Sequence, residues 1–211
     1  MADPTANAFF PLLRRRAAYS KRRDGKYYRY KHYRAEIVED CLRRCVYCDC
    51  EEREIGGGTN MDLDHFRPKG LKVFVHLTHN PNNLMYSCKC CNALKSNWWP
   101  ATGTDNTFVG AEGFIEPFEM DRRDFFGVSK DDGAIRAKQH PASYVIGLLA
   151  LDRPFLRKLR EKRMLSIELT GLVAVLKKQA ESFLEGHQGA DPKEICRLVL
   201  EVTTRVERLI N

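Results

Sequence analysis

CVYCDC at residues 45–50, DHFRP at 64–68, NNL at 82–84 and CKCCNALK at 88–95 form the stretch that decides the fold. Two C-x-x-C turns bracket it, Cys45/Cys48 and Cys88/Cys91, with 39 residues between them. Each such turn presents two thiolates to one ion, and two turns close the tetrahedral S4 shell of a structural Zn2+. The expected ligands are Cys45, Cys48, Cys88 and Cys91, with Cys50 and Cys90 close enough in sequence to substitute. Cys41 and Cys196 read as buried small hydrophobes. A redox dithiol of thioredoxin type would want a single C-x-x-C beside a βαβ pattern, and the chain carries no such pattern.

Between and just after the two turns lie Asp64, His65, Asn83 and Asn92. Asp64 and Asn92 offer a carboxylate and an amide oxygen, hard donors that favour Mg2+ or Mn2+ and leave positions for water and phosphate. His65, with an unperturbed pKa of about 6.5, can take a proton from water at neutral pH. Asn92, Lys95 and Ser96 share one face of a short helix, so Lys95 is expected to reach a phosphate bound beside the metal. In a regular strand Asp64 and His65 point to opposite faces, so one site can use both only where the strand ends or bends. Pro68 supplies a reason for that end.

Outward from this stretch, Tyr27, Tyr30, Tyr33, Ile37 and Cys41 recur at helical spacing and predict a helix over 27–44. Thr59 to Phe66 alternates as a strand, and the glycines at 56–58 suggest a hairpin with the Glu-rich segment before them. A loop of about 14 residues then leads to Asn82, and a helix near Asn92 must end before Trp98-Trp99-Pro100. Both tryptophans are expected to plug the small core around the zinc. Residues 101–140, rich in glycine, predict strands and loops. From Pro141 the chain turns helical: a helix over 143–151, another that Asp152 caps with Pro154 in its first turn, a break at 186–190, and a last helix opened by Asp191-Pro192. The fold class expected is α+β, divided as 1–44 (basic helical segment), 45–100 (zinc-stapled core), 101–140 (strand and loop extension) and 141–211 (helical region).

Charge is unevenly placed. Residues 1–48 hold 12 Lys/Arg against 5 Asp/Glu, while the rest of the 211-residue chain holds 23 of each sign, so the whole surplus of +7 lies in the first quarter. Such a face suits a polyanion, and Arg14, Arg15, Arg16, Lys21, Arg22, Arg23, Arg67 and Lys69 are the candidate nucleic-acid contacts. No apolar run approaches 18 residues, which argues against a membrane span. Met-Ala-Asp-Pro at the N-terminus has no signal-peptide layout, so a cytoplasmic location is expected.

Taken together, CVYC, DHFRP, NL and CKCCNALK resemble the HNH endonuclease superfamily with its ββα-metal core. HFRPK, the CN-x-x-KSNWWP segment, FIEPFEMD at 114–121 and IGLLALDRP at 146–154 further resemble the PtuB-type nuclease subunits of Septu and retron-associated phage defence systems. That resemblance implies His65 as general base, Asp64 and Asn92 as ligands of a catalytic Mg2+ or Mn2+, and Asn83 as the residue that fixes the loop and orients His65. It also implies DNA hydrolysis leaving 5′-phosphate and 3′-hydroxyl ends, and an ABC-type, PtuA-like ATPase partner. Two other readings stand beside it: a non-catalytic zinc module that binds nucleic acid or protein, and a restriction-type HNH nuclease acting alone.

Overall fold

A computed structural model describes residues 8–100, 106–185 and 191–210. Among these residues the fold is mixed α+β with three small antiparallel two-stranded sheets, in two compact units, one within residues 9–159 and one that includes 160–185 and 191–210. The expected break at 186–190 lies outside the described residues.

At the centre of the larger unit, strand β1 (Met61–His65) pairs antiparallel with β2 (Leu84–Cys88), Met61 opposite Cys88 and His65 opposite Leu84. Helix α2 (Lys89–Lys95) follows β2 directly and packs on both strands. The expected hairpin with the Glu-rich segment is therefore corrected. Residues 52–55 wind into a 3-10 turn closed by a capping box between Glu51 and Glu54 and ended by Gly56 in the left-handed region. Glu51 and Glu54 find local backbone donors there, so that segment needs no strand partner. The true partner, β2, is buried along its whole length. It lies under α1 (Arg34–Asp40), whose preceding turn and buried face supply Tyr33, Ile37 and Cys41 at a spacing of four. The expected helix over 27–44 is thus shorter, a 3-10 turn at Tyr30–Tyr33 running into α1.

Downstream, β3 (Phe108–Val109) and β4 (Glu112–Gly113) form a hairpin. Gly113 sits at φ +136°, where a Cβ would come within 2.3 Å of the Phe108 backbone. The tight turn delivers the fully buried Phe114, whose ring stacks on Trp99 at 5.7 Å and meets Phe66 at 6.4 Å. Only Trp99 is a core residue; Trp98 is 61% exposed. Helix α3 (Arg122–Phe125) leads into β5 (Phe126–Val128), which pairs with β6 (Ile135–Ala137), and α4 (Ala142–Leu148) packs on β6. The Asp152 carboxylate, two residues before the helix that begins at Pro154, accepts from the Ile135 N–H and pairs with Arg157.

The divisions at 44/45 and 100/101 do not separate structural units, because charged and aromatic side chains cross them. Arg122, 3% exposed, donates to the carbonyls of Val46 (2.9 Å) and Pro11 (2.8 Å), joining three of the expected segments through one guanidinium. In the smaller unit, α5 (Pro154–Leu184), which begins in the larger one, and α6 (Pro192–Ile210) are tied by the Arg205–Glu168 ion pair. Asp191 caps α6 through the Lys193 N–H, 2.9 Å away. Among the described residues no helix is long and apolar enough to cross a membrane.

A buried guanidinium bonded to two carbonyls supplies hydrogen bonds that an apolar side chain cannot replace. Arg122→Met is expected to lower unfolding stability by about 3 kcal/mol. Urea denaturation checks it, and an unchanged midpoint would show that the staple is dispensable.

Candidate metal centre and cleft

The first C-x-x-C turn folds back on itself: the Cys45 N–H donates to Cys50 O, the Asp49 N–H to Cys45 O, and Asp49 takes φ +62°. The Val46 N–H bonds to Tyr86 O and hangs this turn on β2. The second turn begins where β2 becomes α2, with the Cys88 sulfur capping the helix by accepting the Cys91 N–H at 3.4 Å. The Sγ atoms of Cys45, Cys48, Cys50 and Cys88 come within 4.8 Å of one another, and all four residues are buried. Cys48 Sγ lies 3.3 Å from Cys50 Sγ and 3.8 Å from Cys88 Sγ. Four cysteines this close can hold a metal ion such as Zn2+.

The tight group contains Cys50 where the sequence spacing pointed to Cys91. Cys91 is nevertheless fully buried, and the neighbouring Cys45, Cys48 and Cys88 thiols push its own thiol well above the ordinary range. Five thiols therefore converge, three common to both possible sets of four. Cys88 is held well below the usual thiol range by hydrogen bonds from Cys45, Cys48, Cys50 and Cys91. Cys90 is exposed and takes no part, and Cys196 is exposed rather than buried. Cys41 stays a thiol, pushed up to about 12 by burial, with its sulfur accepting the Tyr86 N–H.

A cleft of about 220 Å³ is lined by Asp64, His65, Lys69, Asn92 and Ser96 together with Leu63, Pro68 and Asn97. It brings together four of the candidate site residues named from sequence, Asp64, His65, Asn92 and Lys69. His65 is the last residue of β1, which lets it share the cleft with its neighbour Asp64. The strand-face objection is met by the strand's end.

Each side chain is fixed from behind. Asp64, 5% exposed, accepts the Tyr47 hydroxyl at Oδ2 (2.5 Å) and Lys95 Nζ at both oxygens (3.2 and 3.1 Å). Tyr47 is kept protonated well above its ordinary range by burial and by the adjacent Asp64 charge. His65 Nε2 lies 2.9 Å from Thr78 O. A carbonyl can only accept, so Nε2 carries the hydrogen and Nδ1 keeps the free lone pair. Burial holds the His65 imidazole below the usual histidine range, so it is neutral at pH 7. Asn83 clamps the chain just after His65 with both ends of its amide, Oδ1 accepting the Arg67 N–H (2.8 Å) and Nδ2 donating to Arg67 O (3.0 Å).

Lys95 is corrected. Its ammonium is fully buried, donating to Asp64 and to His65 O (2.9 Å) above the Phe114 ring, and so it faces the core instead of a phosphate. Two of the basic candidates also turn inward. Arg15 donates to Pro81 O and Leu84 O and lies 3.9 Å over Phe118, and Arg16 pairs with Asp40 (3.0 Å) and Glu39 (3.0 Å). Arg67 is half-buried beside Trp99. Arg14, Lys21, Arg22, Arg23 and Lys69 remain exposed. Sequence reasoning missed Tyr47 and Thr78 altogether. Tyr47 occupies a variable position of the C-x-x-C turn, and Thr78 acts through its backbone. No family model, no curated protein and no solved structure matches this chain.

Two outcomes follow from this geometry. Cys50→Ser and Cys91→Ser are each expected to retain one zinc per chain, because either variant keeps one of the two sets of four complete, whereas the double substitution leaves three thiols and Cys88→Ser breaks both sets, so these two lose it. Metal analysis of the purified variants decides this, and loss in a single Cys50 or Cys91 variant would fix that residue as an obligatory ligand. Lys95→Met, which strands the buried Asp64 carboxylate, is expected to cost about 3 kcal/mol of stability. Chemical denaturation measures it, and an unaltered midpoint would remove the ion pair from the fold's supports.

Proposed function

We propose that the chain is a metal-dependent endonuclease of the HNH type that hydrolyses DNA phosphodiester bonds. The observation that carries this reading is the convergence of Asp64, His65 and Asn92 on one cleft, at the junction of an antiparallel hairpin and the helix that follows it. Asp64 and Asn92 are the residues that would hold Mg2+ or Mn2+. A carboxylate has about four acceptor positions, and Tyr47 with Lys95 fills three at Asp64, so Oδ1 keeps one for a cation. When bound, the ion supplies Lewis-acid stabilisation of the charge on the leaving oxygen.

The remaining work belongs to the chain itself. Thr78 O holds the His65 ring by Nε2, which leaves Nδ1 to take the proton of a water attacking in line with the scissile phosphate. Asn83 keeps the backbone after His65 from shifting, and Tyr47 with Lys95 does the same for Asp64. The thiol centre ties Cys45–Cys50 to the start of α2, and Asn92 lies one residue beyond Cys91, so zinc binding and assembly of the cleft are coupled. The exposed Arg14, Lys21, Arg22, Arg23 and Lys69 fit contacts to the DNA backbone. An ABC-type ATPase partner, a role in antiphage defence and a cytoplasmic location complete the proposal; these rest on the resemblance of the sequence motifs and on the absence of a long apolar run.

Purified protein is expected to nick supercoiled plasmid with Mg2+ or Mn2+, and His65→Ala to cut at least 100-fold more slowly, the usual scale for loss of a general base. If the parent chain requires an ATPase subunit, the same ratio holds in the complex. A His65→Ala protein as active as the parent would overturn the catalytic reading in favour of a zinc module that only binds.

A further inference from the structure

The thiol centre and the cleft leave one group of side chains without a role, the ring cluster at the cleft's edge. Tyr30 is half-buried, and its ring meets that of His65 edge-on, with centroids 4.9 Å apart. The exposed His79 ring lies nearly parallel to Tyr30, 10° between planes and 6.5 Å between centroids. Lys69, itself part of the cleft wall, holds its ammonium 4.8 Å from the Tyr30 ring.

These rings are held in place. Tyr33, one 3-10 turn after Tyr30 and fully buried, donates its hydroxyl hydrogen to Ser20 O (2.7 Å) and accepts the Tyr28 N–H (2.9 Å). Residues i and i+3 of a 3-10 turn lie one above the other, so anchoring Tyr33 fixes Tyr30 as well. A tyrosine serving only the core would be covered as Tyr33 is. Tyr30 instead stays half open next to a solvent-facing imidazole and a cation.

We propose that Tyr30 and His79, flanked by Lys69, form a stacking platform for one unpaired nucleobase, so that the cleft takes single-stranded or locally unpaired DNA in preference to intact duplex. Bases within a duplex are already stacked on each other and cannot offer a face to a ring. A freed base presents a flat π surface that suits near-parallel rings, while the ammonium meets its phosphate. Because Tyr30 touches His65, a base on this platform belongs to a nucleotide adjoining the phosphate in the cleft. The inference rests on the nuclease reading.

The test uses the full chain in buffer without added divalent ions, and a short single strand carrying 2-aminopurine, whose fluorescence drops when it stacks. The parent is expected to quench the probe and to bind the strand more tightly than a duplex of the same sequence. Tyr30→Leu is expected to lose about 10-fold in affinity together with the quenching, a loss within the range for one base–aromatic stack. Tyr30→Phe keeps both. His79→Ala, a truncation at an exposed ring that leaves the core untouched, weakens binding in the same direction and decides the matter if Tyr30→Leu misfolds. Equal affinity in Tyr30→Leu or in a folded His79→Ala, or a preference for duplex, would overturn the platform and leave the nuclease reading standing. A parent that binds neither strand nor duplex would overturn the platform, while the nuclease reading stands or falls with the His65→Ala comparison.

Discussion

The Asp64 carboxylate and the two groups that grip it hold together three pieces of chain distant in sequence. Tyr47 belongs to the first cysteine turn, Asp64 to β1 and Lys95 to the last turn of α2, and their polar atoms meet at 2.5 to 3.2 Å in the protein interior. A buried ion pair does little for net stability, since desolvating both charges offsets most of their attraction. What it supplies is position. Once Lys95 and Asp64 are both out of water, every arrangement that separates them leaves a bare charge, so α2 has one register against β1. The Tyr47 hydroxyl extends the same constraint to the cysteine turn.

This arrangement explains why the flanking segments belong to the unit. A core of some 50 residues between the two cysteine turns buries too small a fraction of its surface to stand on that alone. Phe114 lies under Lys95 and stacks on Trp99, Arg122 links the first cysteine turn to residue 11, and Tyr33 with Ile37 covers β2. The clustered thiols can hold a metal ion, which would add a further tie where apolar volume is short.

The sequence made plain whatever depends on local spacing. The two cysteine turns, the Asp-His pair at a strand's end and the start of α6 behind Asp191 could be read from neighbours within a few residues. It concealed what depends on distant partners. Nothing near Leu84–Cys88 says that it pairs with β1, because strand pairing is settled across 18 intervening residues. Arg14, Arg15 and Arg16 look alike in sequence, yet Arg14 is exposed while its two neighbours find carbonyls and carboxylates from elsewhere in the fold. Cys50 and Cys91 are a comparable pair: the spacing rule favours Cys91, but the reversal of the backbone at Asp49 swings Cys50 into the group as well.

The same Lys95 that positions Asp64 also sets the electrostatics of the proposed catalysis. An ammonium beside the carboxylate offsets much of the negative charge that would otherwise attract a divalent cation, and the Asn92 amide adds no charge. On this reading the protein donors alone make a weak cation site, and an anionic phosphate in the cleft supplies the charge they lack. Cation and phosphate then strengthen each other's binding by the same factor, since such coupling is reciprocal. Under the proposed function, a site built this way would stay poorly loaded until nucleic acid arrives, and one buried lysine would make it depend on substrate without any moving part.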